Sequence, residues 1–396
     1  MTHYALLPTV FGVEAACKAE LLDLGYKPAA IEVSDGQLKL KLGENWQSEL
    51  FRLNLSLRTA ERVRLEILSA EITEFEDYYE TLKAFNFEDW ILPGQRIKIK
   101  GSSRKSKLFA VSSLQSLGKK AIVDRLLAKR HKGSSYLEER ADASEIDFYF
   151  SFIRDKLSLS IDTTGPALHK RGYRPLNHLA PLRETLAAAI LYYAHYENSL
   201  RFEEALYDPF CGSGTFLIEA AMIAKQMAPG LRRQFSMEAL AFAKKSEFAK
   251  LRQELEAKIS RDYKLRIYGS EISQKVLEVA AENIRRAGLA EAGIELKQID
   301  FRQLKSNSLH RWPGGRGLIV ANLPYGERLG EEAEARDLTK MLLDLALAEK
   351  GERAWQLAFL QLPKIMPRNL PRADRQRKLY NGSMAVQLYQ YYRHCR

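Results

Sequence analysis

The pattern of hydrophobic and polar positions predicts two small α+β units followed by a larger α/β domain. In the first unit, helical spacing from Val13 to Leu24 precedes two alternating runs around Asp35-Gly36, which indicates a β-hairpin. The next unit again mixes strands and helices and closes with an alternating strand pair. Further on, apolar runs end in tight polar turns. We therefore divide the chain into residues 1–55, 56–163 and 164–396.

Two of the polar turns in the third part carry candidate chemistry. The first is Asp208-Pro209-Phe210-Cys211-Gly212-Ser213-Gly214-Thr215, which ends the apolar run from Leu200 to Pro209. The second is Asn322-Leu323-Pro324-Tyr325, which follows the buried-strand run 317–321. Parallel strands present their carboxyl ends at one edge of a sheet, where doubly wound folds bind ligands. We therefore expect the two turns to share one site.

Composition leaves several classes of partner open and makes others improbable. The 396 residues have a formal net charge of +11, which suits a polyanion such as RNA, although a generally basic solvated surface explains the charge equally well. No apolar run has the length of a membrane span, and the first residues lack signal-peptide features, so we expect a cytoplasmic protein. The three cysteines give neither a disulfide framework nor a metal-ligand spacing, and no metal is predicted.

The second unit has features that suit contact with an RNA backbone. Basic and apolar residues alternate from Arg96 to Lys100, and a segment rich in glycine, serine, lysine and arginine follows from Gly101 to Leu108. Small residues let a backbone approach phosphates, and the cations supply charged hydrogen bonds. The alternative is a solvated face whose cations answer a helix dipole. The predicted RNA contacts here are Arg104, Lys105, Lys107, Lys119 and Lys120.

Four segments resemble one family. They are Phe11-Gly12-Val13-Glu14, Ser106 to Phe109, Lys120 to Leu126, and Leu168 to Arg174. Together they are similar to the THUMP-containing, S-adenosylmethionine-dependent N2-guanine RNA methyltransferases, and most of all to the amino-terminal half of the bifunctional large-subunit ribosomal RNA methyltransferases. The resemblance implies a ferredoxin-like domain, a THUMP RNA-binding domain and a Rossmann-like class I methyltransferase domain. It also places His169, Arg171 and Arg174 near the RNA and the cofactor.

The glycine turn is the predicted site of S-adenosylmethionine. Gly212 and Gly214 allow positive φ and expose backbone amides, and the helix that follows offers its N-terminus to a carboxylate. The segment lacks the endings of a P-loop and the spacing of a dinucleotide fingerprint. Glu271 ends the next strand and can accept ribose hydroxyls, or it can simply begin a helix. The predicted cofactor residues are Asp208, Phe210, Gly212, Gly214, Thr215, Glu271, Ile272, Asp300, Phe301 and Asn322.

Two further assignments follow from the resemblance. It implies that Asp300 binds the adenine amino group, whereas an Asx turn is the alternative. It also relates the second turn to the (Asn/Asp/Ser)-Pro-Pro-(Tyr/Phe/Trp) motif of amino-group methyltransferases. Leu323 stands where proline is commoner, so the loop has one rigid residue fewer. An ordinary strand-to-loop turn is the alternative for this motif.

The second turn contains the groups that methylation of an exocyclic amine requires. Such an amine is a weak nucleophile because its lone pair is delocalised into the ring. The Asn322 side-chain oxygen and the Leu323 carbonyl can accept its two N–H groups, and Tyr325 can stack on a base turned out of its helix. No general base is needed. The predicted catalytic residues are Asn322, Leu323, Pro324 and Tyr325.

The sequence thus predicts an RNA methyltransferase that forms N2-methylguanosine, with ribosomal RNA of the large subunit as the substrate. Transfer RNA guanine N2 and nucleic-acid adenine N6 are the alternatives within the enzyme class. A non-catalytic RNA-binding assembly factor is the alternative outside it. Residues 234–264 read as a solvated insertion, and no chemistry is assigned to them. Residues 367–378 read as either a second RNA contact or a solvated loop.

Overall fold

The structure is a computed structural model that consists of two seven-stranded sheets with helices packed on them. It describes residues 2–130, 137–174, 182–260, 265–305, 309, 316–326, 331–348, 355–367 and 371–392. The α/β fold class predicted from the sequence is confirmed, because an α+β region precedes a Rossmann-like sheet. The helix Val111–Arg130 runs into the basic segment Lys129-Arg130-His131-Lys132-Gly133. The last three residues of this segment, 131–133, lie outside the described residues.

The first sheet has the strand order β2-β3-β1-β4-β7-β6-β5. Its neighbours are antiparallel except β5 and β6, which run parallel. The strands are β1 (Tyr4–Pro8), β2 (Ile31–Ser34), β3 (Gln37–Lys41), β4 (Arg64–Glu71), β5 (Arg96–Arg104), β6 (Glu145–Ile153) and β7 (Lys156–Asp162). The helices are α1 (Glu14–Asp23), α2 (Trp46–Ser56), α3 (Phe75–Ala84) and α4 (Val111–Arg130).

The first two sequence units share this one sheet. Strand β4 pairs with β1 on one side, where Leu6 lies opposite Arg64, and with β7 on the other, where Leu65 lies opposite Ile161. Alternating residues of these strands are buried in one apolar cluster, because a strand points successive side chains to opposite faces. The sheet therefore continues from the first predicted unit into the second.

The second sheet has the order β10-β9-β8-β11-β12-β14-β13. Its first five strands in that order are parallel, and β14 and β13 form an antiparallel hairpin at one end. The strands are β8 (Ala205–Asp208), β9 (Ile267–Glu271), β10 (Ile294–Gln298), β11 (Gly317–Asn322), β12 (Gln356–Gln361), β13 (Arg375–Asn381) and β14 (Met384–Tyr391). The helices are α5 (Glu184–Tyr193), α6 (Tyr196–Arg201), α7 (Thr215–Ala224), α8 (Lys245–Ala257), α9 (Gln274–Arg286) and α10 (Glu331–Leu347).

Two local predictions in this domain need correction. The run from Leu200 begins inside α6, and the strand is confined to Ala205–Asp208, because a six-residue helix occupies the polar residues before it. The stretch 367–378 is not only a loop, since β13 starts at Arg375 and pairs with β14 through seven residues. The hydrophobic pattern does not reveal this strand, because most of its exposed residues are basic.

The stretch 234–264 is also not a solvated insertion. Helix α8 packs on α2, and the rings of Phe248 and Phe51 stack with centroids 4.2 Å apart. The amide of Gly230 donates to the Leu55 carbonyl at 2.8 Å, where the glycine is required because a Cβ would lie 2.8 Å from the Leu55 Cα. The segment after α7 therefore fastens the methyltransferase domain to the amino-terminal region. Its charged composition conceals the three apolar residues that face α2.

Candidate active site

The two predicted turns meet at one edge of the second sheet. Strands β8 and β11 are adjacent and parallel, with Tyr207 opposite Ile319, so Asp208 and Asn322 both lie at the carboxyl edge. A cleft of about 600 Å³ opens there. Every predicted cofactor and catalytic residue except Gly214 lines it: Asp208, Phe210, Gly212, Thr215, Glu271, Ile272, Asp300, Phe301, Asn322, Leu323, Pro324 and Tyr325.

The glycine turn forms an open backbone cradle. Gly212 has φ +51° and Gly214 has φ +82°, both in the left-handed region that favours glycine. A Cβ built on Gly212 meets nothing closer than 4.0 Å, so its backbone faces open space. The turn is anchored from the neighbouring strand, because the amide of Cys211 donates to the Ser270 carbonyl at 2.9 Å. These residues fit a ligand that is bound by backbone amides at the N-terminus of α7.

Asp208 is a buried carboxyl group inside this cradle. Its side chain is almost inaccessible, and one oxygen accepts the Phe210 amide at 3.0 Å. Burial raises the pKa of Asp208 to about 8; the Phe210 amide lowers this pKa, and the negative charge of Glu271 raises it. Burial also raises the pKa of the Cys211 thiol, so this cysteine stays neutral. A cationic ligand beside Asp208 would stabilise its ionised form.

The next two acidic residues of the cleft have local structural roles as well. Glu271 accepts the Ser273 amide at 3.1 Å, and Ser273 in turn caps α9. Asp300 accepts the Arg302 amide at 3.0 Å, which is the Asx-type turn considered as its alternative. Each carboxylate has a second oxygen with which to meet a ligand. Between them, the rings of Phe210 and Phe301 lie 4.7 Å apart, centroid to centroid, and form an aromatic wall.

The second turn, residues 322–325, is called the acceptor loop below because it is predicted to hold the amine that accepts the methyl group. Contacts from three elements hold this loop. The Leu323 side chain is buried in the apolar cluster under α10, which compensates for the proline absent at this position. Buried Gln361 at the end of β12 donates to the Pro324 carbonyl at 3.1 Å. The Tyr325 hydroxyl donates to the Asn322 side-chain oxygen at 2.5 Å, and Asn381 lies 3.4 Å from the same hydroxyl. The loop is therefore fixed at its backbone.

Comparison with known proteins identifies the family. The family model described as the RMKL-like methyltransferase domain matches residues 171–390, and that of the RlmL ferredoxin-like domain matches residues 5–64. The chain belongs to the RlmK/L-like methyltransferase family. The predicted methyltransferase class and ferredoxin-like domain are thereby confirmed.

Individual relatives of this methyltransferase family cover the whole chain. YpsC of Bacillus subtilis (strain 168), which carries a provisional name as an RNA methyltransferase, is 34% identical over 99% of this chain and 97% of its own. The ribosomal RNA large subunit methyltransferase K/L of Marinomonas sp. (strain MWYL1) is 30% identical over 98% of this chain. The chain spans 52% of that relative's length. The crystal structure of SMU.472, a methyltransferase by its provisional name, contains S-adenosylhomocysteine. It aligns with a TM-score of 0.85 at 32% identity over 99% of this chain and 98% of its own.

Arg174 of this methyltransferase lies at the cofactor cradle rather than on an outer surface. Its guanidinium pairs with Glu184 at 3.2 Å and donates to the Thr215 hydroxyl and, at 3.5 Å, to that of Ser213. The side chain is 10% exposed. The position suits a carboxylate at the N-terminus of α7 better than an RNA phosphate, because the guanidinium is largely buried.

The prediction that Arg171 binds RNA is wrong. Its guanidinium is 1% exposed and pairs with Glu219, which is fully buried, at 3.2 Å. It also donates to the carbonyls of Arg58, at 2.6 Å, and Leu168, at 2.9 Å. Arg171 therefore joins the methyltransferase domain to the chain after α2. A tract of basic residues in the sequence does not reveal which one has a buried partner 48 residues away.

The other predicted RNA contacts differ in whether an acidic side chain lies beside them. Lys119 lies 2.9 Å from Glu139, and His169 lies 3.0 Å from Glu61, so both have acidic partners. Two outward lysines of β5, Lys98 and Lys100, likewise lie 3.3 Å from acidic residues of β6. The nitrogen of Lys120 lies 5.7 Å from the ring of Tyr79. The sequence did not show these acids because they come from other elements.

The loop after β5 retains the strongest character of an RNA contact. Arg104, Lys105 and Lys107 are exposed, and within the described part of the chain none of them has an ion pair. Lys105 has φ +54°, and the Lys107 amide is held by Asp155 at 2.7 Å. Phe109, which follows directly, is 78% exposed. This phenylalanine is not among the predicted RNA contacts, although an aromatic residue next to a basic loop is a signal for base stacking.

Two negative findings concern the described residues. Among them, no helix is both long enough and apolar enough to span a bilayer. The same residues contain no cluster of three or more histidine, cysteine, aspartate or glutamate side chains arranged to hold a metal ion.

Proposed function

We propose that this protein is an S-adenosylmethionine-dependent RNA methyltransferase that forms N2-methylguanosine in large-subunit ribosomal RNA. One observation carries the proposal: Asp208 and Asn322 end adjacent parallel strands and line the same cleft. A donor held at the first residue can therefore face an amine held at the second. The named substrate of the K/L relatives supports ribosomal RNA, and the basic loop after β5 supports RNA in general.

The cofactor, S-adenosylmethionine, supplies an electrophilic methyl group on its sulfonium. The residues of the cradle bind and orient it. Arg174 and the amides at the start of α7 suit its carboxylate, and Asp208 suits its ammonium group. Glu271 can accept hydrogen bonds from the ribose hydroxyls. Asp300 can accept one from the adenine amino group, beside the aromatic wall formed by Phe210 and Phe301.

The acceptor loop makes the guanine amine nucleophilic by accepting its two N–H groups. The Asn322 oxygen is one acceptor, and the Leu323 carbonyl is the other. Hydrogen bonds to both protons favour a tetrahedral nitrogen whose lone pair points away from the ring. Because the donor is already a strong electrophile, alignment accounts for most of the protein's contribution. The Gln361 bond to the Pro324 carbonyl keeps this geometry fixed.

The hydrogen bond inside the loop implies a rearrangement on substrate binding. The Asn322 oxygen accepts the Tyr325 hydroxyl at 2.5 Å, so an incoming amine must share or replace that bond. A rotation of the Tyr325 ring releases the oxygen and brings an aromatic face against the flipped base. Asn381 is the partner that can retain the hydroxyl, because its amide nitrogen already lies 3.4 Å away.

Labelled methyl transfer in vitro tests this proposal. The protein is incubated with labelled S-adenosylmethionine and with ribosomal or transfer RNA from a strain that lacks it, and the products are digested to nucleosides. Labelled N2-methylguanosine in large-subunit RNA is expected. Label in transfer RNA, or on adenine N6, would replace the substrate assignment while keeping the methyltransferase. The absence of label in every RNA would contradict catalysis and favour the assembly factor.

An asparagine variant separates the enzyme from the assembly factor. Asn322→Ala removes one of the two acceptors, and kcat should fall by at least about 100-fold, as when one preorganised hydrogen bond is lost. Binding of RNA and of S-adenosylhomocysteine should persist. Asn86→Ala is the matched control, because the Asn86 side chain bonds to Arg125 in the amino-terminal sheet region, away from the cleft. If Asn322→Ala restores normal ribosomes in the deletion strain, the cellular role does not depend on transfer.

A further inference from the structure

A second cavity, of about 280 Å³, lies at the edge of the methyltransferase sheet opposite the catalytic cleft. Tyr391 of β14 pairs with Leu357 near the start of β12, so the end of β14 is at the amino edge of the parallel strands. The cavity is enclosed by α1, by the end of α5, by the first residues of β13 and by Tyr392. It therefore lies where the ferredoxin-like region meets the methyltransferase domain.

The aromatic walls of this cavity are held in place by hydrogen bonds. The Tyr193 hydroxyl donates to the Gly12 carbonyl at 2.7 Å and accepts the Ala16 amide at 3.3 Å. On the other side, Gln390 donates to the Tyr392 hydroxyl at 2.9 Å. Both rings are thus fixed before any ligand arrives, which limits the entropy lost on binding.

Two arginines of one strand face bring positive charge to the same cavity. Arg375 and Arg377 both line it, and the Arg377 guanidinium carbon lies 4.1 Å from the centre of the Tyr193 ring. The Nε atom of Arg377 is buried and has no hydrogen-bond partner among the described residues. A buried donor without a partner is unfavourable, so an anionic ligand that accepts from Arg377 would stabilise the folded protein.

The backbone of the cavity wall is strained at one residue. His195 has φ +54°, a left-handed conformation that is unfavourable for a residue with a side chain, and its ring lies 5.9 Å from that of Tyr392. Asp23 and Glu197 add hydrogen-bond acceptors to the same wall.

We propose that this cavity binds a nucleotide. The rings of Tyr392 and of Tyr193, one face of which carries Arg377, line the cavity and suit the base, and Arg375 and Arg377 offer charged donors to its phosphate. The two carboxylates can accept ribose hydroxyls or the amino group of the base. The combination of fixed aromatic rings, two arginines and a few acceptors matches the parts of a nucleotide better than those of a simple anion, which needs no aromatic wall.

The nucleotide can belong to an RNA strand or be free in solution. Strand β13 connects the cavity to the catalytic cleft, because Asn381 at its other end contacts Tyr325. Arg377 and Asn381 are four positions apart in the strand, or about 13 Å at 3.3 Å per residue. An RNA strand along this edge could place one nucleotide in the cavity and another in the cleft; this source rests on the proposed function. A free nucleotide does not.

Calorimetric titration with GMP tests the site. The protein is first saturated with S-adenosylhomocysteine, which fills the cofactor part of the catalytic cleft. GMP that binds at Asn322 and Tyr325 instead is recognised because the cavity variants leave its affinity unchanged. Binding of GMP should weaken at least tenfold in Arg377→Ala and several-fold in Arg375→Ala, whose side chain is exposed and whose loss should not disturb folding. Arg285→Ala is the matched control, since this exposed arginine of α9 lies toward the other end of the sheet. Titration with S-adenosylhomocysteine checks that each variant is folded.

The outcomes distinguish the sources and the failures. Competition of a single-stranded hexaribonucleotide with GMP, together with a raised KM for RNA in Arg377→Ala, identifies an RNA nucleotide. GMP binding without competition identifies a free nucleotide. The site is refuted if GMP at millimolar concentration does not bind the wild-type protein, or if both cavity variants bind it as Arg285→Ala does. GMP binding requires no methyl transfer. A failure of the nucleotide site can therefore be told apart from a failure of the proposed methyltransferase function.

Discussion

The Tyr325 hydroxyl donates to the Asn322 side-chain oxygen at 2.5 Å, so the residue assigned to hold the amine is itself held by the residue assigned to stack on the base. The two side chains are three residues apart in one loop, and Asn381 approaches the same hydroxyl from the β13–β14 hairpin. The bond supplies a hydrogen-bond donor to an acceptor that lines the cleft. It also makes substrate entry an exchange of hydrogen bonds rather than a simple gain.

Two substitutions separate the hydroxyl of Tyr325 from its ring. Tyr325→Phe keeps the stacking face and removes the competing donor, so we expect kcat within about threefold of wild type and a KM for RNA that is equal or lower. Tyr325→Ala removes the stacking face, worth about 1–3 kcal/mol per base, and kcat/KM should fall about 5- to 150-fold. Steady-state methyl transfer measures both. Equal losses in the two variants would show that the hydroxyl, not the ring, is what the reaction needs.

Asp208 makes cofactor binding depend on pH. The pKa of Asp208 is about 8, because burial disfavours the carboxylate and Glu271 repels it. An ammonium group of the ligand beside Asp208 favours its ionisation, so below pH 8 binding must release a proton. The affinity for S-adenosylhomocysteine should therefore rise with pH, by up to about tenfold per unit, and level off above about pH 8. Calorimetry in buffers with different ionisation enthalpies counts the protons.

The control for this titration is Asp208→Asn. This variant cannot release the proton, and its affinity should be weaker at pH 8 and flat from pH 6 to 8. The sign also applies to the ligand-free fold. A pKa raised above its usual value of 3.8 means that the folded state binds the proton more tightly, so this group's contribution to stability is lost as pH rises toward 8. Cofactor affinity that is independent of pH in the wild type would remove Asp208 from the ammonium site.

The sequence contained enough information for the catalytic edge but not for the junction between domains. The glycine turn and the acceptor loop are each local in the chain, and the rule for parallel strand ends brings them together without knowledge of any distant contact. No comparable rule predicts where helix α8 packs, and its polar composition gives no sign that Phe248 stacks on Phe51. The prediction that Arg171 binds RNA is wrong for the same reason, since burial of a charge depends on a partner that only the fold supplies.

The Arg171–Glu219 pair should contribute to stability rather than to RNA binding. Both side chains are buried, and removing one leaves the other as an uncompensated charge. Arg171→Met should lower the free energy of unfolding by about 3–5 kcal/mol. The double variant with Glu219→Leu removes both charges and should recover part of that loss, although the carbonyls of Arg58 and Leu168 still lose their donor. Urea denaturation measures the three proteins; a double variant less stable than the single one would contradict this account.

Phe109 should stack on an unpaired base of the RNA. It is 78% exposed and follows a loop whose Arg104, Lys105 and Lys107 have no ion pair in the described part of the chain. Phe109→Ala should weaken RNA binding by about 1–3 kcal/mol, whereas Phe109→Trp should keep it, because stacking needs a ring and not a particular one. Phe202, 64% exposed on the far side of α6, gives the matched control Phe202→Ala. Fluorescence anisotropy with labelled RNA measures the binding of all three variants. Equal effects of the two alanine variants, or a tryptophan variant as weak as the alanine one, would mean that the exposed ring at position 109 is not a stacking surface for RNA.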